Sequence, residues 1–169
     1  QRVVADFLLY ARRPPPSLQS VDVPALLCEV RDSVQAIGSG VSVSTEHPDP
    51  KPVLVWADPQ QLRRAVENLA RNAVQACEGR EDAQVTLNVS LLPSGRAAIA
   101  VRDNGPGIPA DALPKIWTPF FTTRAQGTGL GLPFVREIVL DHHGSISVET
   151  GATGTTFVIA LPAAPNAST

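Results

Sequence analysis

The stretch Asp58-Pro59-Gln60-Gln61 constrains the fold more than any other part of the chain. Asp is a good helix N-cap. Pro fits the first helical position, where no amide partner is needed, and Gln at the third position completes a start signature. Leu62, Val66, Leu69, Ala73 and Ala76 then recur at helical spacing, and Gly79 supplies a stop. A long helix with one apolar stripe has to be covered, and the flanking segments read as strands and helices able to cover it. Residues 18–23, 41–44 and 52–56 predict short strands. Val85, Leu87, Val89 and Leu91 alternate, as do Ala97, Ile99 and Val101, with Pro93-Ser94-Gly95 as the turn between them. Ile146/Val148 and Phe157/Ile159/Leu161 predict two closing strands. A helix over 24–37 presents Leu26, Leu27, Val30, Val34 and Ile37. Another over about 129–143 packs through Leu130, Phe134, Ile138 and Val139 and ends at Gly144. Helices interleaved with hairpins predict a mixed sheet with helices on one face, an α+β two-layer α/β sandwich.

Composition narrows the class of protein. The chain has 169 residues, 43% of them apolar and 18% charged, which is a folded, water-compatible balance with enough mass for one core. A net charge of -2 offers no broad basic surface, so nucleic acid is not an expected partner. No apolar run approaches the roughly 18 residues of a membrane span. The chain starts at Gln1 and has no Met, which reads as a fragment of a longer protein. Cys28 and Cys77 form no CxxC and read as two buried free thiols, a disulfide not being excluded. Residues 1–12 read as the end of an apolar helix. Pro14, Pro15 and Pro16 stop that helix and form a stiff connector. Residues 163–169 are expected to be a frayed tail.

Several polar residues do not fit a simple core. Asn68 and Asn72 are four apart and share a helix face at the edge of the apolar stripe. They could be solvated amides, or one could offer its oxygen to a hard cation beside phosphates. Asp103 is in phase with Ala97, Ile99 and Val101 and so points inward at a strand end. It could be satisfied by the Asn104-Gly105 turn, or accept a hydrogen bond from a ligand NH₂ group. Gly105 and Gly107 bracket Pro106 and let backbone approach a flat ring. Thr155 is in phase with Phe157 and also faces inward, where a satisfied core hydroxyl is the ordinary outcome. Residues 104–131 read as a long functional loop with one short helical piece. At its end, Gly127-Thr128-Gly129-Leu130-Gly131 opens a helix whose free amides suit an anion. This run does not closely follow a strand as a Rossmann fingerprint does, and no Gly-Lys-Thr/Ser is present, which excludes a Walker P-loop.

Together these segments resemble the histidine-kinase ATPase family, within the wider group that includes DNA gyrase B, Hsp90 and MutL. Glu67-Asn68-Leu69-Ala70-Arg71-Asn72-Ala73 looks like its N box, and Asp103-Asn104-Gly105-Pro106-Gly107-Ile108 like its first glycine box. Pro119-Phe120-Phe121-Thr122-Thr123 resembles the F box, and Gly127-Thr128-Gly129-Leu130-Gly131-Leu132 the second glycine box. Gly154-Thr155-Thr156-Phe157 is similar to the closing strand. The resemblance covers residues 17–162, and the F box with a short lid is most similar to nitrogen-regulator-type kinases.

The resemblance implies an ATP-binding catalytic domain over 17–162, preceded by the exit of a dimerisation-domain helix and linker over 1–16. It implies Asn72 as Mg²⁺ ligand, with Asn68 supporting it or touching phosphate. Asp103 would accept the adenine amino group, helped by Thr155, while Gly105, Gly107 and Ile108 line the base. Thr128, Gly129, Leu130, Gly131 and Leu132 would cap the phosphates. Phe120 belongs to the F box, and Arg124, with Lys115, would bring positive charge to the γ-phosphate. Asn68 stands where gyrase and Hsp90 carry a water-activating glutamate, so transfer to a histidine is favoured over hydrolysis. Glu67, one position away, is not given that role. Gln75 stands where some kinases have Lys.

None of His47, His142 and His143 sits in the family's acceptor pattern, so no catalytic residue is assigned and the acceptor histidine is expected outside this chain. His142 and His143 read as structural residues at a helix end. The implied partners are the protein's own dimerisation and phosphoacceptor domain and a cognate response regulator. The parent is expected to be a homodimer, the fragment a monomer, and the domain cytoplasmic, with membrane anchoring of the parent left open. Two rivals stand beside this reading. One is a nucleotide-dependent binding module similar to anti-sigma-factor kinases. The other is an ATPase that works by conformational clamping.

Overall fold

The Asp58 start signal operates as the sequence predicts: its Oδ1 accepts from the amides of Gln60 and Gln61, both at 3.0 Å. In the computed structural model, which describes residues 14–36, 40–47, 52–125 and 127–164, the helix it opens is flanked by strands on both sides. The order is β1 (Gln19–Asp22), α1 (Val23–Gln35), β2 (Ser42–Glu46), β3 (Leu54–Ala57), α2 (Pro59–Cys77), β4 (Gln84–Leu91) and β5 (Arg96–Asp103), then a 3-10 turn (Leu113–Lys115), α3 (Gly131–Asp141), β6 (Ser145–Gly151) and β7 (Gly154–Pro162). The helical reading of residues 1–12 and the place of Ile37 lie outside the described residues. Among the described residues no helix is long and apolar enough to cross a membrane.

Five strands form one sheet in the order β2-β4-β5-β7-β6. The β2–β4 pair is parallel and the other pairs are antiparallel, so the sheet is mixed. Strands β1 and β3 form a separate antiparallel pair. Period-two alternation sends Val85, Leu87 and Val89 of β4, Ala97, Ile99 and Val101 of β5 and Phe157, Ile159 and Leu161 of β7 to one face. There they meet the buried stripes of the helices, including Leu27 and Val30 of α1, Leu62, Val66 and Leu69 of α2, and Ile138 and Val139 of α3. The two layers of the expected α+β sandwich are present. Leu91 departs from its alternation: it ends β4 at the hairpin and is 46% exposed.

Three local details differ from the sequence expectation. Gln61 does not return a bond to the Asp58 amide to close a capping box. That amide donates to His142 Nε2 at 2.9 Å, and Gln61 Nε2 reaches the Pro14 carbonyl at 3.2 Å. Helix α3 is ended by His143, not Gly144. His143 takes φ 56°, and the amides of His143 and Gly144 close on the carbonyls of Leu140 and Val139 as a Schellman cap. A Cβ on Gly144 would stand 2.6 Å from Leu161 Cδ2 and 2.8 Å from the Ala160 carbonyl, so close packing selects this glycine. The thiols also divide: Cys77 is buried, but Cys28 is exposed, on the outer side of α1, and both are free. Of the expected tail, Ala163 bridges Val55 and the Ala164 amide donates to Leu54 at 2.9 Å, which holds both in place. Residues 165–169 lie outside the described residues.

Candidate functional site

The inward phase of β5 delivers Asp103 to the end of the sheet facing α2, where it is 4% exposed. Its Oδ1 accepts from the Gly105 amide at 2.8 Å and from the Thr155 amide at 3.3 Å. Both donors take the same oxygen, and Oδ2 has no donor among the described residues. Burial raises the pKa of this carboxyl; the two amides and the charge of Arg124 oppose the shift without cancelling it. A Cβ on Gly105 would stand 2.9 Å from Asp103 Oδ1 and 3.0 Å from the Ala76 carbonyl of α2. The carboxylate therefore lies against α2 about one turn beyond Asn72.

Thr155 is buried, and its hydroxyl sits 2.9 Å from that of Thr150, its register partner across the β6–β7 hairpin. Thr150 Oγ1 also accepts from the Ile108 amide at 2.8 Å. This connects the first glycine box to the closing hairpin through Thr150, a residue that sequence reasoning missed. Its register opposite Thr155 was the available signal. Gly107 has φ 80°, and a Cβ there would overlap the Gly151 carbonyl, so only glycine lets the loop lie on the hairpin. Asn104 was also missed as a positioning residue. Its Oδ1 accepts from the Gln84 amide at 2.9 Å and its Nδ2 donates to the Asp82 carbonyl, fastening the turn to the start of β4. A cavity of about 620 Å³ opens beside this loop, lined by Gly107, Ile108, Leu113, Thr123, Thr150 and Gly151 among others.

Asp103 and Asn72 do not line that cavity. Arg124 Nη1 donates to Asn72 Oδ1 at 3.2 Å and to Gln75 Oε1 at 2.7 Å, and Nη2 to the Asn72 carbonyl at 2.9 Å. Although the residue as a whole is solvent-exposed, its guanidinium is partly withdrawn from water. That desolvation lowers its pKa, while the carboxylates of Glu78 and Asp103 pull the other way. Arg124 stays charged in any case. Asn68 turns its Nδ2 back to the Arg64 carbonyl at 3.0 Å. Glu67 accepts from Arg63 at 3.1 Å, and Arg63 in turn bonds Glu29 of α1, so this carboxylate is engaged away from the N-box asparagines. Lys115 lies 5.9 Å from the centre of the Phe121 ring and makes no contact with Asn72.

The second glycine box packs on both the F box and α2. Gly129 has φ 67°, a Cβ there would overlap the Phe120 backbone, and the Phe120 amide donates to the Gly129 carbonyl at 2.9 Å. A Cβ on Gly131 would stand 3.5 Å from Asn68 Oδ1 and 3.9 Å from Asn72 Nδ2. Helix α3 starts at Gly131, and its N-cap Leu130 supplies no side-chain hydrogen bond, so no side-chain cap competes for its first amides. Thr128 Oγ1 makes only a long 3.4 Å contact with the Leu130 amide, Leu130 is buried and Leu132 is partly buried against the core. Pairwise contacts thus link the expected site residues: Arg124 with Asn72, Asp103 with Gly105 and Thr155, Ile108 with Thr155 through Thr150, Phe120 with Gly129, and Gly131 beside Asn68 and Asn72.

A family model described as "Histidine kinase-, DNA gyrase B-, and HSP90-like ATPase" matches residues 57–165. The sensory histidine kinase/phosphatase NtrB of Rhizobium leguminosarum bv. phaseoli is 38% identical over 137 residues, 73% of this chain and 36% of that protein. The chain therefore spans about a third of that relative's length. Among solved structures, full-length ShkA in complex with AMPPNP superposes with a TM-score of 0.86 at 29% identity, over 99% of this chain and 36% of that one. Histidine kinase ThkA in complex with the response regulator protein TrrA superposes with a TM-score of 0.80 at 25% identity, over 97% of this chain and 47% of that one. The buried acid, the helix-borne amides and the two glycine boxes occur in a chain that belongs to the histidine kinase-, DNA gyrase B-, and HSP90-like ATPase family and is similar over nearly all its length to sensor histidine kinases.

Proposed function

We propose that this chain is the ATP-binding catalytic domain of a two-component sensor histidine kinase. In this reading it binds Mg-ATP and directs the γ-phosphoryl group to a histidine on a dimerisation domain, for relay to an aspartate of a response regulator. The observation that carries the reading is Asp103: a buried carboxylate with Oδ1 held by two amides and Oδ2 left to accept from an exocyclic amino group. Gly107 and Ile108 offer a flat backbone surface beside it, and Thr150 and Thr155 hold that surface in place. The uncapped start of α3 offers amides to the phosphates.

Asn72 Oδ1 already accepts from a cation, the guanidinium of Arg124. A neutral amide oxygen there fits Mg²⁺, which takes hard oxygens and shares its octahedron with phosphate and water. When bound, the metal supplies neutralisation of the β- and γ-phosphate charge. The chain's own residues orient the triphosphate and keep a general base away from the γ-phosphorus. Glu67 is engaged with Arg63, and Asn68 carries no basic group. In the transfer, the bond from the γ-phosphorus to the bridging oxygen of ADP breaks, a bond to an imidazole nitrogen forms, and the ring gives up its proton. Positioning and charge stabilisation supply the catalysis.

The test mixes the chain with a dimerisation domain bearing its acceptor histidine and γ-labelled ATP. Acid-labile label on that domain, lost when Asp103 is changed to Asn, is expected. Nucleotide binding without any label transfer favours a nucleotide-dependent binding module. Steady phosphate release by the chain alone favours a clamping ATPase.

A further inference from the structure

Arg124 lies on the oxygen that the proposed function assigns to the metal, and Gln75 makes its shortest contact there, 2.7 Å against 3.2 Å to Asn72 Oδ1. A guanidinium and Mg²⁺ cannot both use the same amide oxygen along the same approach. Arg124 is also placed by its own loop: its amide donates to Thr122 Oγ1 at 3.1 Å, and the Phe120 amide is tied to Gly129. Holding the guanidinium on α2 therefore holds the F box and, through Gly129, the second glycine box against the N box. The carboxylates of Glu78 and Asp103 draw the same charge toward the helix.

We propose that Gln75 is a positioning residue that docks Arg124 on Asn72, so that metal-nucleotide binding is an exchange of cations in which Mg²⁺ takes Asn72 Oδ1 and Arg124 is released with the F-box loop. This rests on the nucleotide-site reading above. The docked and released states form a two-state equilibrium, and a contact made only in the docked state weakens metal-nucleotide binding by its share of that equilibrium. Gln75 is exposed on α2, where Ala is a good helix former, so Gln75→Ala keeps the fold.

Two measurements on wild type and Gln75→Ala test this. Hydrogen exchange of the protein without nucleotide reads the docking itself. In the variant, amides between Thr118 and Arg124 are expected to exchange fivefold faster or more, and unchanged exchange overturns the proposal. Calorimetric titration reads the competition. Mg-AMPPNP is expected to bind the variant about threefold tighter or more, with a smaller gain for AMPPNP in EDTA. Equal or weaker Mg-AMPPNP binding by the variant, or a gain of the same size in EDTA, overturns the cation exchange. If neither protein binds Mg-AMPPNP, the nucleotide-site reading falls, while the exchange measurement still decides whether Gln75 holds Arg124.

Discussion

His142 Nε2 accepts the backbone amide of Asp58 at 2.9 Å, while His142 Nδ1 lies 2.7 Å from the carbonyl of Ile138 in its own helix. A neutral imidazole with its proton on Nδ1 satisfies both contacts, an assignment made from the hydrogen bonds. The end of α3 is thereby fastened to the start of α2, and these are the two helices that carry the second glycine box and the N box. His142 is 2% exposed, so truncation leaves an orphaned amide in a dry place. His142→Ala is expected to destabilise the domain by about 1–3 kcal/mol, the usual cost of such an orphan. Urea denaturation checks it, and an unchanged midpoint contradicts the tie.

Asp58 caps α2 with Oδ1 and takes the Ser17 amide on Oδ2 at 2.9 Å. Partial burial works to raise its pKa, but the amides of Gln61, Ser17 and Gln60 outweigh it, and the net shift is downward. A carboxyl with a depressed folded-state pKa contributes stability that is present above its unfolded pKa and lost as pH falls through the folded value. Asp58→Ala is expected to cost about 0.5–2 kcal/mol near neutral pH, as cap removal does. The gap to wild type should narrow below about pH 4, the ordinary carboxylate range. Denaturation at several pH values measures both, and a gap that does not depend on pH is the contrary result.

Asp103 shifts in the opposite sense, and so does its linkage. With burial raising its folded-state pKa, the folded protein binds this proton more tightly than the unfolded chain. Stability from this group falls as pH rises from the unfolded carboxyl range through the folded value. Asp103→Asn keeps an oxygen for the Gly105 and Thr155 amides and removes the charge. The variant should gain on wild type in thermal stability as pH rises above about pH 4, the ordinary carboxylate range. Its NH₂ group, where Oδ2 was, would face the adenine amino group, donor against donor. Loss of a charge-assisted bond of about 1.5–3 kcal/mol corresponds to about tenfold weaker ATP binding or more. Calorimetry showing equal affinities removes Asp103 from the proposed base pocket.

Asn72→Ala deletes the oxygen proposed for the metal and one of Arg124's two side-chain acceptors on α2. The difference in AMPPNP affinity between Mg²⁺ and EDTA should largely vanish in this variant. A difference as large as that of wild type would mean that another residue holds the metal.

Period-two and helical spacing made most of this legible before any coordinates. Asp103 and Thr155 had to point inward because they share the phase of Ile99 and Ile159, and backbone sterics enforce that phase within each strand. Asp58 had to open a helix because Pro59 follows it and an apolar stripe begins at Leu62. The docking of Arg124 on Gln75, the amide of Asp58 meeting His142, and the Thr150 hydroxyl under Ile108 were not readable. Each depends on which surfaces of separate elements come to face one another, 49, 84 and 42 residues apart along the chain. Periodicity is a property of neighbouring dihedrals and tells each side chain which layer to enter. Partners inside the layer are chosen by packing, which selects Gly144 because a Cβ there would clash with Leu161 and leaves Cys28 in solvent, and that choice exists only in the tertiary structure.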